Sequence, residues 1–100
     1  MEDEKINSPI NTAQQLMVIA AEECGELTQV CMKMMRRYDT IQDMFYSSKR
    51  QDLVEEAGDV LCMLELMIEF GLFDWDELHR RSDHKKEKLK TWSDLIHTFE

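Results

Sequence analysis

The chain has 100 residues and a formal net charge of −9 at pH 7, and 43% of its residues are hydrophobic. This length predicts one folded domain over residues 1–100, and the composition excludes intrinsic disorder. The acidic charge argues against a nucleic-acid binder. One proline and three glycines are few for the many turns of a many-stranded β fold, so an all-α protein is predicted.

The first predicted helix begins at Ser8 and Pro9, a serine cap followed by proline in the first turn. Residues 1–7 before it are polar and are expected to be loose. Steps of three and four residues then define one apolar stripe, and the helix is predicted to end near Tyr38. The members of this stripe are Ala13, Leu16, Ala20, Cys24, Leu27, Cys31, Met34 and Tyr38.

The segment after the first helix, residues 39–47, has no clear period and is predicted to form a loop or a single helical turn. A second helix is predicted to follow Ser48 and to stop at Gly71, because glycine is favoured just beyond a helix C-terminus. The apolar side of this helix contains Leu53, Ala57, Val60, Leu61, Leu64 and Ile68.

A third, more polar helix is predicted to open at Asp74-Trp-Asp-Glu77, which is typical of a capping box, and to run to about Lys90. Residues 92–100 then form a short amphipathic tail that needs a surface to dock on. Between His79 and Lys90 there are six bases and two acids. A solvated helix face is the simplest interpretation of this run, and a strip that binds a small polyanion is the alternative.

The cysteine content and the hydropathy indicate the cellular compartment in which the protein is expected. Cys24, Cys31 and Cys62 are an odd number without a CxxC pair, and all three fall in apolar runs. We therefore expect buried, reduced thiols in a cytoplasmic protein. No N-terminal apolar region is present and no apolar run approaches ~20 residues, so neither a signal peptide nor a membrane span is expected.

The sequence AEECGE at residues 21–26 returns in a similar form as VEEAGD at residues 54–59. At about 100° per residue, Glu23 and Glu26 fall on one flank of the first apolar stripe, bracketed by apolar side chains at the edge of the core. Glu22 falls nearly opposite the stripe and is expected to face solvent.

The second helix repeats this arrangement, with Glu56 and Asp59 on one flank. If the two helices pack antiparallel, four carboxylates face one another, and such a cluster should recruit a hard divalent cation, Mg²⁺ or Mn²⁺. Acidic pairs are also common on solvated helices, so the geometry alone leaves both interpretations open. Gly25 and Gly58 fall opposite the predicted ligands, where another helix could approach closely.

At this point the residues resemble a known family. Glu22-Glu23-Cys-Gly-Glu26 followed by Glu56-Ala-Gly-Asp59 is similar to the EExxE…ExxD signature of the MazG-like all-α nucleoside triphosphate pyrophosphohydrolases, over roughly residues 16–92. Relatives in that family include dimeric dUTPases, dCTP pyrophosphatases and phosphoribosyl-ATP pyrophosphohydrolase. The chain resembles the compact, single-module type of the family.

The resemblance implies an antiparallel bundle of three long helices plus a short C-terminal helix, assembled as a homodimer or as a homotetramer built from two dimers. It implies Mg²⁺-dependent hydrolysis of a nucleoside triphosphate to the monophosphate and pyrophosphate, in cytoplasmic nucleotide-pool housecleaning. The net charge and the lack of a long apolar run predict no nucleic-acid or membrane partner. The metal ligands that the resemblance assigns are Glu23, Glu26, Glu56 and Asp59.

The resemblance also suggests the remaining roles. A water activated by the metal would attack the α-phosphorus, with Glu22 or Glu26 as general base. Lys85 and Lys88 are similar to a basic element that meets phosphate oxygens in the family. Lys33, seven residues after Glu26 on the same face, is a further candidate to steady pyrophosphate, and a solvated surface role is its alternative.

Three aromatic residues are candidates to stack on the nucleobase, and each can equally be core: Trp75, Phe45 and Tyr46. Two other functions stay open beside the main one. A dedicated dUTPase or dCTPase would use the same site on a single base. A non-catalytic acidic helical interaction module would keep the fold but would neither bind Mg²⁺ nor be stabilised by it.

Overall fold

The computed structural model describes residues 9–99, with side chains described for residues 10–97. Its helices are α1 (Pro9–Arg37), α2 (Ile41–Phe45), α3 (Lys49–Phe70), α4 (Trp75–Trp92) and α5 (Leu95–Phe99). The described residues form no strand, so the all-α prediction is confirmed. None of these helices has both the length and the apolar character that a membrane crossing requires. The predicted loose segment 1–7 and the Ser8 cap lie outside the described residues.

The first helix and the turn after it follow the predicted pattern closely. α1 ends at Arg37, and the N–H of Tyr38 still donates to the carbonyl of Met34 at 3.2 Å. The segment that follows contains a single short helix, α2, so the helical alternative for this segment is confirmed. Thr40 caps α2, because its hydroxyl oxygen accepts a hydrogen bond from the N–H of Asp43 at 3.1 Å.

The predicted boundaries of α3 and α4 are also confirmed. α3 ends at Phe70 and is followed by Gly71 at φ +91°, a left-handed conformation that costs glycine no Cβ penalty. Asp74 and Glu77 form the predicted capping box of α4. The N–H of Glu77 donates to Asp74 Oδ1 at 2.8 Å, and the N–H of Asp74 donates to Glu77 Oε1 at 3.1 Å.

The described residues form two compact units, one that ends at Phe70 and one that begins at Gly71. In the first unit α1 packs along α3, and in the second unit α5 packs against α4. Ile96 of α5 is half-buried, whereas Leu95 and Trp92 are exposed. The predicted docking tail therefore contacts α4 through only part of its apolar face.

The core of the first unit is the seam between α1 and α3. Its most buried side chains are Met34, Met63 and Met67. Half-buried side chains extend the seam in both directions at helical spacing. They are Ala13, Leu16, Ala20, Glu23, Leu27 and Val30 on α1, and Asp52, Leu53, Glu56, Val60, Leu64 and Ile68 on α3.

This seam differs from the predicted apolar stripes in a systematic way. On α1, Cys24 and Cys31 are exposed, and the residue before each of them, Glu23 and Val30, lies in the seam instead. The other six members of the predicted stripe keep their places, so the packed face is turned towards the acids by only part of the roughly 100° that separates neighbouring residues. The prediction of buried thiols is wrong, because Cys24, Cys31 and Cys62 are all exposed.

The packed face of α3 is rotated in the same sense. Ala57 and Leu61, which were predicted to lie in the core, are exposed, and Met63 and Met67 are buried. Each helix therefore carries two neighbouring and partly shared apolar stripes, and among the described residues only the one that includes the carboxylates is packed. The other stripe is left on the surface.

Candidate metal centre

The two acidic motifs face each other across the α1–α3 seam. The carboxylates of Glu23 and Asp59 lie within hydrogen-bonding reach of each other, and so do those of Glu26 and Glu56. Glu26, the later of the two acids on α1, thus meets Glu56, the earlier of the two acids on α3. The two helices therefore run antiparallel. This is the arrangement in which the sequence predicts that the four carboxylates converge.

Three of the four predicted ligands form a compact group. Glu23, Glu56 and Asp59 each offer one carboxylate oxygen, and these atoms all lie within 4.8 Å of one another. Oxygen ligands that share one hard cation lie at most about 4 to 5 Å apart, because each bond measures about 2.0 to 2.6 Å. The three side chains can therefore reach one ion with little rearrangement.

The other two predicted acids lie at the edge of this group. Glu26 is exposed and is not a member of the three-residue group, but its carboxylate adjoins that of Glu56. Glu22 is exposed, as predicted, and acts on Glu23 through its charge alone. Glu26 therefore lies where it can contact a ligand held by the group, whereas Glu22 lies behind it.

Two oxygens of the group are buried without a hydrogen-bond partner among the described residues: Glu23 Oε2 and Glu56 Oε2. The described ion pairs, Lys49 with Asp52 and Glu87 with Lys90, leave this group without a protein cation. Buried carboxylate oxygens of this kind are costly unless a proton or a cation meets them. Two such atoms at the same place are an observation that favours a bound cation.

Burial and neighbouring negative charges also determine the electrostatics of the group. Burial in the seam raises the pKa of Glu23, and the negative charges of Glu26, Asp59 and Glu22 raise this pKa further. Burial also raises the pKa of Glu56, followed by its contact with the carboxylate of Glu26 and by the surrounding charges. Desolvation and like charges both disfavour the ionised form. A divalent cation removes both penalties at once.

The donor set also indicates which ion fits. The group contains carboxylate oxygens and neither histidine nor cysteine. Hard cations such as Mg²⁺ and Mn²⁺ prefer oxygen ligands, whereas structural zinc sites use sulfur and nitrogen. The residues therefore fit a Mg²⁺ site.

Comparison of the chain with protein-family models, with curated proteins and with solved structures found no match. The assignment of a ligand to this site consequently depends on the two acidic motifs and on the geometry around them.

The predicted phosphate-contacting lysines lie in both units. Lys33 is exposed on α1, two turns beyond Glu26. Lys85 and Lys88 lie on α4, with their ammonium groups 5.4 Å and 6.0 Å from the centre of the Trp92 ring. This cation–π contact was not predicted, although the spacing of three and four residues along one helix face is the signal that could have found it.

The predicted base-stacking aromatics are all exposed within the described chain. The exposed fractions are 60% for Phe45, 90% for Tyr46 and 42% for Trp75. The core interpretation of these three residues is therefore wrong. The ring of Trp75 lies 5.8 Å from that of His79, centre to centre. Stacking on a nucleobase stays a prediction for all three.

A charged pair next to the acids was missed in the sequence. Lys49 Nζ lies 3.2 Å from Asp52 Oδ2, and the side chains are 26% and 44% exposed. Lys49, Asp52 and Glu56 follow each other at three and four residues along α3, so they share one face of that helix. Heptad spacing back from Glu56 is the signal that identifies this lysine.

Proposed function

We propose that this protein is a Mg²⁺-dependent nucleoside triphosphate pyrophosphohydrolase, which converts (d)NTP and water to (d)NMP and pyrophosphate. The observation that carries the proposal is the pair of buried, unpartnered oxygens of Glu23 and Glu56 beside the carboxylate of Asp59. A nucleoside triphosphate reaches a protein together with Mg²⁺, which supplies the cation that these oxygens lack.

The ligands of the ion would be Glu23, Glu56 and Asp59, with Glu26 alongside them. When bound, Mg²⁺ neutralises phosphate charge and lowers the pKa of water beside the α-phosphorus. The protein holds the ligands in place because Glu23 and Glu56 are fixed in a helix–helix seam, where backbone and side chains move little.

Glu26 is the favoured general base in this proposal. Its carboxylate adjoins Glu56, whereas Glu22 is exposed behind the cluster. The water oxygen bonds to the α-phosphorus, the bond from that phosphorus to the bridging oxygen breaks, and pyrophosphate leaves with this oxygen. Glu26 takes the proton of the attacking water.

The direct test is a product assay with a panel of (d)NTPs and Mg²⁺. We expect NMP and pyrophosphate from the wild type, with both products lost in Glu56→Gln and Asp59→Asn. Glu55→Gln is the matched control, because Glu55 is the exposed neighbour of Glu56. Orthophosphate with NDP, or wild-type rates in the two ligand variants, would contradict the proposal. Turnover of dUTP or dCTP alone would identify a dedicated enzyme of the same superfamily.

The proposed assembly is the predicted bundle of three long helices, as a homodimer or a dimer of dimers. It is supported by large apolar side chains that the first unit leaves exposed on its two long helices. These are Met17, Val18, Met32, Met35, Val54 and Leu61. Large apolar side chains exposed in this number are typical of a surface that a partner subunit covers. Light scattering measures the state, and a monomer at micromolar concentration would refute the assembly.

The remaining assignments are part of the same proposal. Lys85 and Lys88 contact phosphate by the resemblance alone, and their contact with Trp92 does not test this role. The proposed location is the cytoplasm, where free thiols such as those of this chain persist.

A further inference from the structure

We propose that Lys49 of α3, together with Lys33 of α1, binds the pyrophosphate end of the substrate, so that the triphosphate lies along the α1–α3 seam in a single direction. This inference rests on the proposed function of the acid cluster. It adds a residue that the sequence motifs do not include, and it assigns a polarity to the bound nucleotide.

The register of the two helices brings these lysines to the same level. Glu26 adjoins Glu56 across the antiparallel seam. Seven residues forward along α1 lead to Lys33, and seven residues back along α3 lead to Lys49. At a rise of about 1.5 Å per residue, both lysines lie about 10 Å from the acids, in the same direction. Because seven residues make almost two full turns, each lysine shares the helix face of its acid.

Lys49 is held in place on the first turn of α3. Its side chain is only 26% exposed, and its Nζ lies 3.2 Å from Asp52 Oδ2. The half-buried Asp52 lies between Lys49 and Glu56 along the same face of α3. A lysine restrained in this way presents its ammonium group at a defined point, and a lysine binds phosphate as a compact point charge.

The charge distribution along the seam gives the direction. Between residues 9 and 70, every lysine and arginine falls in one of two short stretches, residues 33–37 and residues 49–50. The antiparallel register puts both stretches at the same end of the helix pair. Towards the other end the seam is apolar, and Glu65 and Glu69 are the charges that α3 carries there. The β- and γ-phosphates therefore point to Lys33 and Lys49, and the nucleoside points to the apolar end.

The test measures binding and does not require turnover. Calorimetry compares the affinity for Mg²⁺-pyrophosphate of the wild type with that of Lys49→Met and Lys33→Met. We expect each variant to bind about tenfold more weakly, because each loses one charge-assisted contact. Lys49→Arg should retain most of the affinity. The matched control is Arg50→Met, since Arg50 is exposed and lies about 100° away from Lys49 around α3.

The polarity has its own readout. Affinity for the nucleoside monophosphate with Mg²⁺ should not change in Lys49→Met, because that ligand lacks the β- and γ-phosphates. Equal losses for pyrophosphate and for monophosphate would overturn the polarity. Equal affinities of Lys49→Met and Arg50→Met for pyrophosphate would overturn the site, as would a wild type that does not bind Mg²⁺-pyrophosphate. Metal-free melting of all variants shows that they fold.

The outcome is separable from that of the proposed function. A wild type that hydrolyses no (d)NTP but binds Mg²⁺-pyrophosphate through Lys49 would refute the enzyme and support the anion site. A wild type that produces pyrophosphate while Lys49→Met binds it normally would support the enzyme and refute the anion site.

Discussion

Glu23 on α1 and Glu56 on α3 each bury one oxygen, Oε2, without a hydrogen-bond partner among the described residues, and both carboxylates belong to one group within 4.8 Å. Burial is the first cause of the raised pKa of both side chains, and neighbouring carboxylates add to it. The folded, metal-free protein thus holds charge repulsion that protons or a cation can relieve. This repulsion determines how the pH and the substitution Glu56→Gln change the stability of the protein.

The metal-free protein should become more stable, through Glu23 and Glu56, as the pH falls through the raised pKa values of these two side chains towards the ordinary pKa of a glutamate. Both pKa values lie above the ordinary pKa of a glutamate, so the folded state binds protons more tightly than the unfolded state does. The contribution of these groups is fully present below the unfolded pKa and is lost as pH rises through the folded pKa. Thermal melting in the presence of a chelator measures it.

Other carboxylates also titrate in this range, so the control is the variant in which both Glu23 and Glu56 are replaced by Gln. The difference in melting temperature between wild type and this variant isolates the two groups. Saturating Mg²⁺ should remove the pH dependence of the difference, because the ion stabilises the ionised carboxylates. A difference that is independent of pH without metal would contradict the raised pKa values.

Glu56→Gln should have opposite effects with and without metal. Without metal its melting temperature should rise, because a half-buried negative charge is removed from among like charges. With Mg²⁺ the stabilisation that the wild type gains should be lost, and kcat/KM should fall at least about a hundredfold. Melting curves with and without Mg²⁺ measure the change in melting temperature and the lost stabilisation by the ion. Glu55→Gln, at the exposed neighbouring position, should match the wild type in all three.

Glu26→Gln and Glu22→Gln should separate the two candidate bases. If Glu26 accepts the proton, its replacement lowers kcat by about a hundredfold or more, whereas Glu22→Gln costs less than about tenfold. The reason is position, since Glu26 adjoins Glu56 and Glu22 is exposed behind the cluster. Steady-state kinetics at saturating Mg²⁺ measures both. The reverse ranking would assign the base to Glu22.

Gly25→Ala should distinguish a free helix surface from a packed one. Nothing lies within 4 Å of a Cβ added at Gly25, so a monomer should gain about 1 kcal/mol of unfolding free energy from better helix propensity. If another subunit packs closely there, the larger Gly25→Leu should weaken assembly in light scattering. Gly71→Ala is the control with the opposite sign, because φ +91° costs an alanine about 1 to 2 kcal/mol.

Local features of the fold could be predicted from the sequence because they depend on neighbours along the chain. The capping box of Asp74 and Glu77 and the stop at Gly71 are of this kind, since each needs only residues within one turn. The acid pairs could be predicted for the same reason. Two positions three residues apart on a helix lie close together whatever that helix packs against.

The rotation of the seam could not be predicted from the same pattern. Cys24 and Leu61 are as apolar as many side chains that are packed, and periodicity alone does not choose between neighbouring positions at the edge of a stripe. The observed packing of α1 against α3 places Glu23 and Glu56 in the seam, although carboxylates usually prefer water. A sequence rule based on hydrophobicity rejects that packing unless it takes a bound cation into account.

The three most buried side chains of the described residues, Met34, Met63 and Met67, are all thioethers. Oxidation turns a flexible apolar methionine into a polar sulfoxide, which cannot return to a dry seam. While α1 and α3 are together, these sulfur atoms are shielded from peroxide. Each separation of the two helices exposes all three along the seam that also holds the carboxylates. Oxidation that reaches these three sulfur atoms would prevent α1 and α3 from closing, and a methionine sulfoxide reductase would be needed to restore the seam.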